Sequence, residues 1–120
     1  MVVYTITELD ELQDWSKEKK IMILDFYAGW CGPCKRLSPL FEEYSQLEKY
    51  QDLLFLKVDI ELAQDLTHHF SIASLPTIII LDATLQEIHK IVGFRKDTIE
   101  RTLDTLSQEK YKTENENDQD

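Results

Sequence analysis

The chain has 120 residues, a length that suits one domain able to bury roughly two-thirds of its unfolded surface. Its 42% hydrophobic and 30% charged residues are ordinary globular composition and exclude wholesale disorder. With 13 Lys and Arg against 23 Asp and Glu the net charge is −10, which excludes a general binder of nucleic acid or anionic membranes, since both need a basic face.

Strand-like and helix-like segments alternate along the chain. Residues 2–5 read as a short first strand, after which Thr7 is placed to cap a helix carrying Leu9, Leu12 and Trp15. Residues 21–28 form an apolar run with β-branched and aromatic members, the pattern of a strand covered on both faces. Leu37, Leu40, Phe41, Tyr44 and Leu47 then fall at helical spacing, with Pro39 inside the stripe as an expected kink. Residues 53–59 are a third strand, and Leu62, Leu66, His69 and Phe70 mark a short helix. Residues 77–82 and 86–92 are two strands a few residues apart, hence an antiparallel hairpin, although the turn lacks glycine. Ile99, Leu103 and Leu106 stripe a last helix starting near Asp97. The order βαβαβαββα predicts an α/β domain with parallel strands first and a terminal hairpin.

The domain is expected over residues 1–110, and the acidic residues 111–120 are expected to be a disordered tail. From Thr113 onward there is no apolar side chain to offset the entropy of ordering. No secretory leader is visible at the N-terminus, and apolar runs such as Ile21-Met22-Ile23-Leu24 are far too short to span a membrane. A cytoplasmic location and a monomer are therefore expected. The two cysteines, Cys31 and Cys34, are three positions apart and close too small a loop to staple a fold. In a reducing compartment such a pair is catalytic or metal-binding rather than structural.

The pair sits where an apolar strand meets an amphipathic helix, in Trp30-Cys31-Gly32-Pro33-Cys34. A helix N-terminus presents unpaired N–H groups and the positive end of its dipole, which stabilise a thiolate at Cys31. Cys34 lies one turn further in, within bonding reach. Pro33 occupies a first-turn position where its missing N–H costs nothing. A bare CxxC leaves redox chemistry, a metal site and inert thiols all open. Asp25 interrupts the apolar strand. It is either a hydrogen-bonded strand-end carboxylate or, with the cysteines beside it, a buried acid of raised pKa that accepts the Cys34 proton. Lys57 either snorkels from a half-exposed strand or lies near Asp25. His68, His69 and His89 lack ligand spacing to the cysteines and read as solvated or packed, so no metal site is expected.

The segment resembles the active site of the thioredoxin family, and the resemblance extends over residues 1–110. Trp30 to Cys34 reproduces the family's WCGPC sequence. Asp25 matches its acidic residue, Lys57 the lysine facing that acid, Leu75-Pro76-Thr77 its cis-proline segment, and Gly93 the glycine after the last strand. Tyr27 departs from it, standing where many members carry tryptophan. The resemblance implies a thioredoxin fold, a five-stranded mixed β-sheet flanked by four helices. It also implies a protein-disulfide oxidoreductase carrying electrons in cell redox homeostasis by dithiol–disulfide exchange, with Cys31 attacking and Cys34 resolving.

On that reading Asp25 serves catalysis and Trp30, Gly32, Pro33, Lys57 and Pro76 support the active site. A client is gripped by Trp30, Ser74, Leu75 and Gly93. No cofactor is expected to be bound; electrons come from a reductase, NADPH-dependent thioredoxin reductase being the usual donor, and the partners are that enzyme and disulfide-containing protein clients. The competing readings on the same fold are a thiol oxidase or isomerase, whose members usually carry histidine in place of Pro33, and a redox-inactive binding module.

Overall fold

The computed structural model of the protein describes the backbone of residues 3–118 and the side chains of residues 3–107. In chain order the elements are β1 (Val3–Thr5), α1 (Asp10–Ser16), β2 (Ile21–Tyr27), α2 (Gly32–Gln46), a 3-10 turn (Glu48–Tyr50), β3 (Leu53–Asp59), α3 (Gln64–His69), β4 (Thr77–Leu81), β5 (Glu87–Val92) and α4 (Lys96–Asp118). The strands form one mixed sheet in the order β1-β3-β2-β4-β5. The strand β3 runs parallel to β1 and β2, whereas β4 is antiparallel to both β2 and β5.

The strands β2, β3 and β4 are mostly apolar, broken at Asp25 and Lys57, because they are central and covered on both faces. Alternation sorts them. Met22, Leu24, Phe26, Leu56 and Ile79 face Leu12 of α1 and Leu66 of α3. Ile23, Phe55, Ile78 and Ile80 face Leu37 and Phe41 of α2 and Ile99 and Leu103 of α4. Each fully buried Leu, Ile or Phe contributes about 1.5–3 kcal/mol of transfer free energy, so these two layers dominate the stability. Odd-numbered residues of β2 point toward α2, which puts Asp25 on the helix-α2 side of the sheet.

Several local details differ from the sequence expectation. Thr7 does not cap α1: the preceding position is Leu9, without a side-chain cap. Instead Glu11 reaches back, its Oε1 accepting from the backbone N–H of Thr7 and Glu8 at 3.0 Å each. The first-turn carboxylate thus ties the two residues ahead of the helix to its start, at the end where negative charge is favoured. The 3-10 turn at Glu48–Tyr50 has no signal in the sequence, because three residues carry no periodicity. The hairpin turn manages without glycine because Asp82 Oδ1 accepts from the N–H groups of Thr84 and Gln86, while Leu85 takes the left-handed conformation at φ 71°. Its side chain packs on the core in return.

The last helix, α4, runs to Asp118 and so enters the segment 111–120. Propagation costs little once a helix is nucleated on a packed stripe such as Ile99, Leu103 and Leu106.

Candidate functional site

The loop leaving β2 delivers Trp30, Cys31 and Gly32 to the N-terminus of α2. Cys31 is the N-cap residue, in an extended conformation, and Pro33 lies in the first turn. The Cys31 sulfur accepts a hydrogen bond from the backbone N–H of Cys34 at 3.2 Å. A sulfur held there accepts an N–H bond at the positive end of the helix dipole, the setting that favours negative charge on it. Cys31 and Cys34 are joined as a disulfide with Cα atoms 5.2 Å apart. Both are buried, at 6% and 4% exposure, and pack with Ala28, Tyr27, Ile60 and Leu75. Trp30 is 68% exposed, a large apolar side chain left to solvent beside the reactive sulfur.

A shallow groove runs past Cys31, lined by Trp30, Gly32, Pro33 and Leu75 together with Ile60, Ile72 and Ala73. The Leu75–Pro76 peptide is cis, as the resemblance implies. Two residues expected at this surface are not part of the groove lining. Ser74 is exposed and its carbonyl accepts from Thr77 Oγ1 at 2.6 Å. Gly93, at φ +90°, donates its N–H to Pro76 O at 2.8 Å and so braces the proline segment from the far side. Ile60, Ile72 and Ala73 were not picked out from the sequence. The available signal was positional: they follow β3 or precede β4, and loops at the ends of central strands of α/β sheets are where ligands bind.

Beneath the loop, Asp25 is 1% exposed and its Oδ1 has no hydrogen-bond partner. Burial pushes its carboxyl up to about 7, with the Lys57 ammonium pulling the other way. Asp25 and Lys57 are register partners on β2 and β3, so the lysine does lie beside the acid. It is not in contact with it: among the described residues Lys57 makes no ion pair within 4.0 Å. Its Nζ donates to Ser38 Oγ at 3.0 Å and lies 4.5 Å from the centre of the Tyr27 ring. His68, His69 and His89 are all exposed. Among the described residues no group of three or more His, Cys, Asp or Glu is arranged to hold a metal ion, and no helix is long and apolar enough to cross a membrane.

Chemically, the arrangement is a dithiol that opens and closes without unfolding the domain, at the edge of an apolar groove, over a carboxyl that titrates near neutrality. Comparison with known proteins agrees with that chemistry. The family model described as Thioredoxin matches residues 3–105. Thioredoxin H2-1 of Oryza sativa subsp. japonica is 35% identical over 107 residues, covering 88% of this chain and 75% of that protein. The thioredoxin of Coprinus comatus is 35% identical over 99 residues, covering 82% and 92%. The crystal structure of Malassezia sympodialis thioredoxin superposes with a TM-score of 0.81 at 27% identity, covering 89% of this chain and 95% of that one. The chain belongs to the thioredoxin family, the disulfide oxidoreductases that work by dithiol–disulfide exchange through a redox-active cysteine pair.

Proposed function

We propose that this protein is a cytoplasmic, monomeric reductant of disulfides in protein clients, carrying electrons from a dedicated reductase. The observation that carries the reading is the Cys31–Cys34 pair at the start of α2 with a buried, unpartnered carboxylate oxygen of Asp25 behind it. The Cys31 thiolate attacks one sulfur of a client disulfide, forming a mixed disulfide and expelling the other client sulfur as a thiolate. Cys34 then gives its proton to Asp25, and the resulting thiolate attacks the Cys31 sulfur. The second client thiolate leaves, two electrons have passed to the client, and the Cys31–Cys34 disulfide remains. Trp30 and Leu75 hold an extended client segment in the groove, and its backbone pairs beside Leu75 in the manner of an added strand. A flavoenzyme that draws on NADPH, thioredoxin reductase, regenerates the dithiol.

Reduction of insulin disulfides by the reduced protein tests this reading. Turnover by the wild type, with Cys34→Ser instead accumulating mixed disulfides on Cys31, is the expected result. No reduction of insulin by the wild-type dithiol overturns it. A measured potential in the range of strong oxidants would instead identify an oxidase or isomerase.

A further inference from the structure

A lysine ammonium is a strongly hydrated point charge with three donors, and on a half-exposed strand it ordinarily extends to water. Lys57 does not. Its Nζ is taken by the Ser38 hydroxyl at 3.0 Å and covered by the Tyr27 ring at 4.5 Å. Ser38 is four residues after Cys34 on α2, hence one turn below it on the same helix face, the face turned to the sheet. Lys57 and Asp25 occupy paired positions on adjacent strands, with alternation pointing both toward α2. Because no contact ion pair forms between them, the pull of Lys57 on Asp25 acts through space. It is therefore set by where the ammonium is anchored.

We propose that Ser38 is a positioning residue for the resolving step: it anchors the Lys57 ammonium beside Asp25 and so sets the pH at which Asp25 takes the proton of Cys34. The other groups around the carboxyl leave this role to Lys57. On its own strand there is the Tyr27 hydroxyl, neutral at physiological pH and itself pushed up by burial, Asp59 and Asp25. The strand β4 presents Ile78, which is apolar, and α2 presents the neutral Ser38, held by Lys57. Asp59, at the end of β3, is the remaining charge on this face and is of like sign. Lys57 is thus the cation that offsets the desolvation of Asp25. A lysine without its anchor swings outward into water, and the carboxyl then holds its proton to higher pH.

The inference rests on Asp25 being the base of the resolving step, so the experiment reads that separately. The Asp25 carboxyl of the reduced full-length protein is titrated by carbon-13 NMR, and mixed-disulfide resolution is timed against pH. Both are measured for wild type, Ser38→Ala, Ser38→Thr, Lys57→Met and the double variant. Ser38→Ala is expected to raise the Asp25 midpoint by about half a pH unit and to move the resolution profile with it. Ser38→Thr, which keeps the hydroxyl, restores both, and in the Lys57→Met background Ser38→Ala moves neither. An unchanged or lowered midpoint in Ser38→Ala overturns the proposal, as does an equal shift in the absence of Lys57. A midpoint that moves while the resolution profile stays still removes Asp25 as the base, and the role of Ser38 in resolution falls with it.

Discussion

Two groups of buried-side polar contacts treat their carboxylates in opposite ways. At the junction of α4 with α2 and the 3-10 turn, Tyr44 donates to Glu100 at 2.7 Å and Tyr50 donates to Asp104. Lys96 and Lys49 complete these sites as ion pairs at 3.2 and 3.1 Å. Those hydrogen bonds hold Glu100 and Asp104 below the usual carboxylate range, and the tyrosine hydroxyls, led by burial, are pushed far up and stay protonated. At the active-site end Asp25 has an unpaired oxygen, no contact ion pair and a carboxyl pushed up to about 7. A satisfied acid ties elements together and does not titrate near neutrality. An unsatisfied acid costs stability and is available for proton transfer.

That contrast has a sign that can be tested. The folded chain keeps the Asp25 proton up to about 7, whereas the unfolded chain loses it near the ordinary value of 3.8. Stability therefore falls as pH rises across that window, by on the order of 4 kcal/mol in full. Asp25→Asn is neutral and nearly isosteric, so its unfolding free energy from denaturant titration should exceed that of the wild type by that order at pH 8 and match it at pH 4. Equal gains at both pH values would show that the effect is packing rather than ionisation. The same variant should slow mixed-disulfide resolution above neutral pH by about a hundredfold, the range for loss of a general base. In the wild type that rate should climb as pH passes through about 7.

The junction should respond in the other direction. Asp104 and Glu100 are held low, so their contribution is present above the ordinary carboxylate value and lost as pH falls through the folded one. Tyr50→Phe should cost about 1 kcal/mol in chemical denaturation near pH 7, less in strong acid, with insulin reduction unaltered. A change in reduction rate would break the division between a structural and a reactive end. Lys96→Gln should have the smallest effect, about 0.3 kcal/mol and less in high salt, because the pair with Glu100 is half exposed.

The strand β3 and the cysteine site were legible because their signals are local. The short, mostly apolar run over residues 53–59 reads as a strand, and a strand is found there. Cys31-Gly32-Pro33-Cys34 between a strand and a helical stripe places the sulfurs at a helix N-terminus wherever that helix packs. The groove was only half legible. Trp30 and Leu75 were read, but Ile60, Ile72 and Ala73 are ordinary apolar residues until the loops meet. Ser38 was invisible, since one serine in an amphipathic helix carries no pattern, and its partner lies 19 residues away.

By itself the amino-acid sequence determined the element order, the two-sided burial of β2, and the placing of the cysteine pair where a strand meets a helix. Each of these follows from periodicity or from neighbours a few residues apart. Tertiary structure alone decided that β3 lies between β1 and β2, which sets Lys57 beside Asp25. It also decided that α2 lays Ser38 on that lysine, and that the acid has no partner of its own. The reason is physical: burial and through-space charge depend on which distant segments pack together, and no local pattern records those distances.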